Sequence, residues 1–249
     1  MKQTEVINDL LGYEGLKIIQ RPDTFNFTLD STLLAHFVSI NQNVKNIIDL
    51  GCGNGPIPLF LSLRTKAKII GVELQREISD LAQRSVILNG LEEQITIYND
   101  NVIGIAEKLG HNNFDIVTCN PPYFKYHKDS NINKNDYLTI ARHEVTLKLE
   151  DVLNEAKRLL KDGGTLAMVH RAERLTDLLV AFRNAHMEPK RIRFVYPKKN
   201  SLECLAVLIE GKNSLNTGGL KILKPLYVYD ENHKYTEEIL EIFNYVGKR

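Results

Sequence analysis

The sequence predicts an α/β fold: a mostly parallel sheet, helices on both faces and an antiparallel strand at one edge. Three observations carry that expectation. Short apolar runs alternate with amphipathic patterns through most of the chain, as strand–helix–strand units do. Most of the runs are near-continuously apolar, which marks strands covered on both faces. Toward the C-terminus two such runs are separated only by a loop, too short for the helical crossover that a parallel pair requires.

The elements follow in order. Lys45–Asp49 is the first core strand and runs into Gly51-Cys52-Gly53-Asn54-Gly55. Ile57–Leu63 continues from that loop as a helix, and Lys68–Glu73 is the second strand. Glu77–Asn89 carries Ile78, Leu81, Ala82 and Val86 on one face and stops at Asn89-Gly90, a helix-end signal. Gln94–Asn99 and Phe114–Cys119 are the third and fourth strands. Leu149–Leu160 places Val152, Leu153, Ala156, Leu159 and Leu160 on one helix face before Asp162-Gly163-Gly164 ends it. Thr165–His170 is the fifth strand. Arg191–Tyr196 and Leu205–Glu210 complete a seven-stranded sheet as an antiparallel edge pair. Leu226–Tyr229 is a further short strand candidate and Tyr235–Val246 a terminal helix. The segment from Phe124 to about Asp136, rich in Lys, Asn and Asp, is open to two readings, a surface loop or a lid over the residues before it.

Bulk properties exclude several classes. A chain of 249 residues that is 43% hydrophobic can bury a substantial core. Its net charge is +1, so any nucleic-acid contact must come from a local basic patch. Cys52, Cys119 and Cys204 form no metal or disulfide pattern, so no metal is expected and a reduced, cytoplasmic setting is. Met1–Leu11 lacks a signal-peptide core, and no run approaches the ~20 apolar residues of a membrane span.

Two motifs carry chemistry. Asn120-Pro121-Pro122-Tyr123 ends the Phe114–Cys119 run. The prolines stop the strand, because neither donates to a sheet ladder. An amide and an aromatic ring are thereby held on a stiff turn, where a planar amino group can be gripped by Asn120 and stacked on by Tyr123. The second motif is the glycine loop. Gly51, Gly53 and Gly55 between strand and helix permit close backbone approach to a ligand, although glycine also serves packing in such turns. Pro56 breaks the dinucleotide pattern G-x-G-x-x-G, which disfavours pyrophosphate and favours a nucleoside. Glu73 at the next strand end is placed either to accept both ribose hydroxyls or simply to face solvent. Asp100 can bond an adenine amino group or form a turn with Asn99 and Asn101. Asp49 can orient the glycine loop or neighbour a cationic ligand centre.

These residues resemble the class I methyltransferases that use S-adenosylmethionine, whose Rossmann-like sheet matches the expected fold. Asp49-Leu50-Gly51-Cys52-Gly53-Asn54-Gly55 is similar to their first motif, and Asn120–Tyr123 to the catalytic motif of amino-group methylases. Within the class the chain most resembles the bacterial tRNA (adenine-N6) methyltransferases that modify the adenosine beside the anticodon of valine tRNA. Phe27–Ala35, Ala141-Arg142-His143-Glu144 and Val195-Tyr196-Pro197 are the stretches that point to this group. Many of its members carry Gly-Thr where this chain has Thr28-Leu29.

The resemblance implies a cofactor, S-adenosylmethionine, and roles for residues. Asn120, Pro121, Pro122 and Tyr123 become catalytic. Asp49, Gly51, Cys52, Gly53, Asn54 and Gly55 become the cofactor loop. Glu73 with Leu74 is placed at the ribose, Asp100 with Asn101 at the adenine, and Asp30 with Asn120 at the methionine end. Residues 1–43 then form a segment capping the cofactor site, 44–211 the catalytic core and 212–249 a C-terminal extension of a single domain. The expected partner is RNA, with tRNA foremost, and the expected state is a monomer without membrane association. Candidate substrate contacts are Tyr123, Phe124, Lys125 and Lys128 beside the motif, with His127. Arg171 forms a second group with His170 and Arg174. Arg191, Arg193 and Lys198 form a third with Lys190, Lys199, Phe194 and Tyr196, since basic patches with aromatics suit phosphates and bases. Rival readings are a protein-glutamine methyltransferase, a guanine-N2 rRNA or adenine DNA methylase, and a non-catalytic binding module. Only a short stretch precedes the first core strand, which leaves little room for the helical N-terminal domain of the glutamine enzymes.

Overall fold

The computed structural model describes residues 5–10, 13–22, 29–121 and 147–243. The strands are β1 (Val6–Leu10), β2 (Tyr13–Gln20), β3 (Asn46–Leu50), β4 (Lys68–Glu73), β5 (Ile95–Asn99) and β6 (Phe114–Cys119), then β7 (Leu160–Arg171), β8 (Glu188–Tyr196), β9 (Ala206–Lys212), β10 (Lys221–Ile222) and β11 (Leu226–Tyr227). The helices are α1 (Leu29–Phe37), α2 (Pro56–Ser62), α3 (Arg76–Leu88), α4 (Ile105–Leu109), α5 (Leu149–Leu159), α6 (Leu175–Asn184) and α7 (Glu237–Phe243).

The main sheet has the order β10-β8-β9-β7-β6-β3-β4-β5, with β11 also pairing β8. The seven expected strands are all in it, and two two-residue strands extend it to nine. β9 runs antiparallel to both β7 and β8, while every other pair in the sheet is parallel. The antiparallel strand therefore sits inside the sheet rather than at its rim. The loop after β8 simply turns the chain back into the gap beside β7. β7 begins earlier than expected, because Leu160 already pairs with Phe114 before a register shift ahead of Ile116.

Strand residues alternate between two cores, as the pleat requires. Ile47, Ile69, Ile116, Ala167 and Val169 face one cluster with residues of α1, α2 and α7. Ile48, Leu50, Val72, Val117 and Met168 face another with residues of α4, α5 and α6. Covering both faces explains why these strands read as continuous apolar runs. α4 and α6, which the sequence reading did not identify, supply Ile105, Leu178 and Phe182 to the second cluster. Among the described residues no helix is long and apolar enough to cross a membrane.

A separate antiparallel hairpin, β1–β2, was also not expected. It is fastened to α3 by side-chain-to-backbone bonds. Lys17 N–H donates to Asn89 Oδ1 at 2.8 Å, Asn89 Nδ2 donates to Lys17 O at 2.7 Å, and Ile19 N–H donates to Ser85 Oγ at 2.9 Å. Arg84 adds a two-pronged pair with the buried Glu5, 2.8 Å on each arm.

Candidate active site

β3 and β6 lie side by side and end together, with Leu50 opposite Cys119. After β3 the chain crosses to β4 on one side, while β6 occupies the other. The order reverses there, and the crevice outside the strand ends at such a point is where open α/β sheets bind ligands. The glycine loop leaves β3 on one wall, and Asn120-Pro121 leaves β6 on the other.

The loop is built on β4, on the backbone of Val72 and on the carboxylate of Glu73. The N–H groups of Gly51 and Cys52 both donate to Val72 O at 2.9 Å. Gly53 N–H donates to Glu73 Oε2 at 3.0 Å, and Gln75 N–H donates to Oε1 at 2.8 Å. Gly51 has φ +71° and Gly53 +57°, and a Cβ on either would meet no atom within 4 Å. Their inner faces therefore border open space rather than packed protein. Gly71 has a packing role: a Cβ there would come within 2.8 Å of Cys52 Sγ. Pro56 occupies the first position of α2, so one of the N–H donors that a pyrophosphate would use is missing.

Asn54 is buried, and its Nδ2 donates to Ile19 O at 3.1 Å. Its side chain ties the glycine loop to the β1–β2 hairpin, a role the sequence reading did not foresee. Leu74 is 40% exposed on the lip of the crevice.

Two acids are embedded in this site. Asp49 is completely buried. Thr118 Oγ1 donates to its Oδ1 at 2.6 Å, and Oδ2 has no hydrogen-bond partner among the described residues. Burial pushes the Asp49 pKa up to about 8; the Thr118 hydroxyl opposes the shift and the charge of Glu73 adds to it. Burial also raises Glu73, against the N–H groups of Gln75, Gly53 and Leu74. Asp100 differs from both. It lies near the surface after β5, with Lys108 Nζ at 2.5 and 2.7 Å from its oxygens. That ammonium holds its carboxyl below the usual range. Asp100 and Asn101 also form the turn the sequence allowed: Asp100 Oδ1 accepts Asn101 N–H, and Asn101 Oδ1 accepts Ile103 N–H.

On the opposite wall, Asn120 is half-buried and Pro121 buried. Asn120 Nδ2 donates to Ser31 Oγ of α1 at 3.3 Å. Asp30 occupies the first turn of the same helix. The remaining motif residues, Pro122 and Tyr123, lie outside the described residues, as do Phe124, Lys125, His127 and Lys128.

The basic candidates separate once folded. Arg171 is half-buried at the end of β7. His170 is fully buried, and burial lowers its pKa to about 4, so it brings no charge to a phosphate at neutral pH. Arg174 pairs with Asp177 at 2.6 Å. On β8 the pleat sends neighbours to opposite faces. Arg191 bonds Ser39 Oγ and the buried Glu210, and its guanidinium lies 4.6 Å from the centre of the Phe37 ring. Arg193 pairs with Glu238 of α7 at 2.6 Å and donates to Lys224 O at 3.0 Å. Lys190 donates to Asn216 O and Gly218 O. These three cations are engaged within the fold instead of forming one free patch. Lys198 Nζ lies 2.8 Å from His233 Nε2, and Lys199 is exposed.

The sequence does not reveal that Ser31, in the segment the resemblance places near the cofactor, meets Asn120, nor that Thr118 meets Asp49. Nothing local marks either, because the contacts they make span 89 and 69 residues.

Comparisons with known proteins agree with this fold. The profile of the methyltransferase small domain family matches residues 26–194. A tRNA1(Val) (adenine(37)-N6)-methyltransferase of Porphyromonas gingivalis is 31% identical over 205 residues, 74% of this chain and 79% of its own length. A protein of the same description from Flavobacterium psychrophilum is 22% identical over 234 residues, 94% of this chain and 97% of its own. The fold is similar to the crystal structure of a predicted O-methyltransferase from Agrobacterium tumefaciens, with TM-score 0.69 and 20% identity over 86% of this chain and 95% of that one. It is also similar to P. horikoshii TYW2 in complex with MeSAdo, with TM-score 0.60 and 13% identity over 84% of this chain and 71% of that one. The chain belongs to the methyltransferase small domain family, in the group of the tRNA1(Val) (adenine(37)-N6)-methyltransferases.

Proposed function

We propose that this protein transfers a methyl group from S-adenosylmethionine to the exocyclic N6 amine of an adenosine in tRNA, near the anticodon. One observation carries the reading: the glycine loop and Asn120 leave adjacent strand ends, Leu50 opposite Cys119, and face one crevice. The residues on the cofactor side fit a nucleoside with a cationic centre. Two left-handed glycines border open space, Glu73 stands beside them, and Asp49 Oδ2 has no hydrogen-bond partner among the described residues, so this carboxyl, neutral in the empty site, ionises where a cation binds beside it.

Glu73 accepts N–H bonds from Gly53, Gln75 and Leu74, and its two oxygens keep lone-pair capacity for a ribose hydroxyl. Asp100 and Asn101 border the adenine, Leu74 packs at the lip, and Asp30 approaches the methionine end from α1. When bound, S-adenosylmethionine supplies a methyl group already activated by the sulfonium, so no covalent enzyme intermediate is required. The chain must align the incoming amine, an effect that reaches about 7–11 kcal/mol in well-oriented systems. It must also meet the positive charge that grows on the amine nitrogen. Asn120 Oδ1 and the carbonyl of Pro121 accept the two amine N–H groups, and these bonds strengthen as the charge develops. Tyr123 stacks on the extruded base, worth about 1–3 kcal/mol. Unstacking costs a few kcal/mol, less in an anticodon loop than in a duplex.

Residues 1–43 act in this reading as the segment that closes the cofactor side, 44–211 as the catalytic core and 212–249 as an extension. RNA contacts pass to Arg171, Lys198 and Lys199, with Phe124, Lys125 and Lys128 beside the motif. The protein works as a cytoplasmic monomer.

The test offers methyl-labelled S-adenosylmethionine together with RNA, DNA and protein from cells lacking the gene. Label on N6 of an anticodon-loop adenosine is the expected result. Label on a glutamine amide, on guanine N2 or in DNA would replace the adenosine reading.

A further inference from the structure

α1 reaches across the sheet ends to the amide that grips the acceptor. Ser31 in its first turn is buried, and its Oγ accepts the hydrogen bond from Asn120 Nδ2 at 3.3 Å. The two ends of an amide differ in chemistry: the oxygen only accepts and the nitrogen only donates. An amine about to be methylated presents N–H donors, so the oxygen end is the useful one. A flipped amide would set donor against donor. With Nδ2 committed to the helix, Oδ1 stands on the other side of the planar group.

We propose that Ser31 is a positioning residue for methyl transfer, holding the Asn120 side chain with its carbonyl oxygen turned toward the acceptor amine. The inference rests on the reading of Asn120 given above.

The helix that carries Ser31 is well anchored, which such a role demands. Arg64 donates to Ala35 O, and to Val38 O at 3.0 Å. The N–H and hydroxyl of Ser39 both go to Glu210, at 2.6 and 2.8 Å. Arg191 bridges Glu210 and Ser39 while lying over Phe37. The last carbonyls of α1, orphaned in any isolated helix, are thus used to lock it against α2, β8 and β9. Ser31 is thereby held in place at the other end.

The test uses the full-length protein, an unmodified tRNA transcript and S-adenosylmethionine, read as the single-turnover rate of methylation. Ser31→Ala removes the acceptor. Ser31→Cys nearly preserves size while replacing the hydroxyl by a weak acceptor. Both should slow transfer about 10- to 100-fold, as small misplacements of a reacting group do. Cofactor Kd and the KM for tRNA should stay within about threefold by the same reasoning. Ser31→Thr, which keeps a hydroxyl, should retain roughly a third of the rate or more if the bond is what matters. In an Asn120→Ala background, Ser31→Ala should add nothing, because residues that act through one contact are not additive. A packing role would lower the rate by the same factor in both backgrounds. The proposal is overturned if Ser31→Cys turns over within about twofold of the parent protein, or if the two losses multiply. Failure of the adenosine reading would show separately, as a parent protein that leaves tRNA unmethylated.

Discussion

Replacing Asp49 with Asn should remove a pH dependence of stability. Asp49 is fully buried, takes one hydrogen bond from Thr118 and leaves Oδ2 without a partner among the described residues. Its pKa rises from 3.8 to about 8 on folding, chiefly through burial. The folded protein therefore keeps a proton that the unfolded chain releases. For a carboxyl shifted in this direction, folding is favoured most at low pH. Stability declines once the unfolded chain begins to ionise, and the decline levels off where the folded group ionises too. The window here runs from about pH 4 to about pH 8. At about 1.36 kcal/mol for each unit, the stretch from 3.8 to pH 7 is worth about 4 kcal/mol. Asn titrates in neither state. Its amide N–H groups find no acceptor where Oδ2 stood, a fixed cost of about 1–3 kcal/mol at every pH. Urea unfolding of both proteins between pH 4.5 and 8.5 separates the two effects. The stability of Asp49→Asn relative to the parent should improve by about 5 kcal/mol across the window, about 4 of it below pH 7, and then stay flat. Parallel curves would refute the claim that this carboxyl is protonated in the folded protein.

Other consequences follow from the same geometry. Asn120→Ala should cut methyl transfer by about 10²-fold or more with cofactor binding little changed; ordinary turnover in that variant would remove Asn120 from the chemistry. Gly53→Ala should cost folding only about 1–2 kcal/mol for its left-handed backbone, yet weaken cofactor binding at least about tenfold, since its methyl enters open space at the crevice. An unchanged Kd by titration calorimetry would take the loop out of the site. Arg191→Ala strands the buried Glu210 and should lower stability by about 2–4 kcal/mol in urea, without altering the salt dependence of RNA binding. Arg171→Glu should do the reverse, reducing the slope of log K against log salt by about one for the lost phosphate contact. An unaltered slope would place Arg171 outside the interface.

The parts legible in the sequence share a physical character. β4 and β6 keep the bounds read from sequence, because strands buried on two faces are apolar throughout and stop where polar residues or proline begin. α3 and α5 fall within a residue of their expected ends, since amphipathic periodicity and Gly or Asn stop signals are local. The β1–β2 hairpin left no such trace. Val6 and Ile7 are exposed, Leu10, Ile18 and Ile19 reach the core, and the rest of its attachment is made by Asn89, Ser85 and Arg84, polar residues that read as ordinary helix surface. The sequence places Asp30 near the methionine end but does not mark Leu29–Phe37 as a helix. The helical form of that segment matters because it brings Ser31 to Asn120.

Taken alone, the chain's local order settled where β4, β5, β6 and β8 end, which turn must bend through glycine, and where an amide follows a strand into proline. Those features depend on neighbours a few residues away, so a linear reading reaches them. Folding decided the rest. It matched Leu50 with Cys119 so that loop and amide face each other, buried Asp49 beside Thr118, and turned Arg191 and Arg193 inward to brace helices. Such partnerships depend on strand register and helix placement across long stretches of chain, and only the packed core sets those.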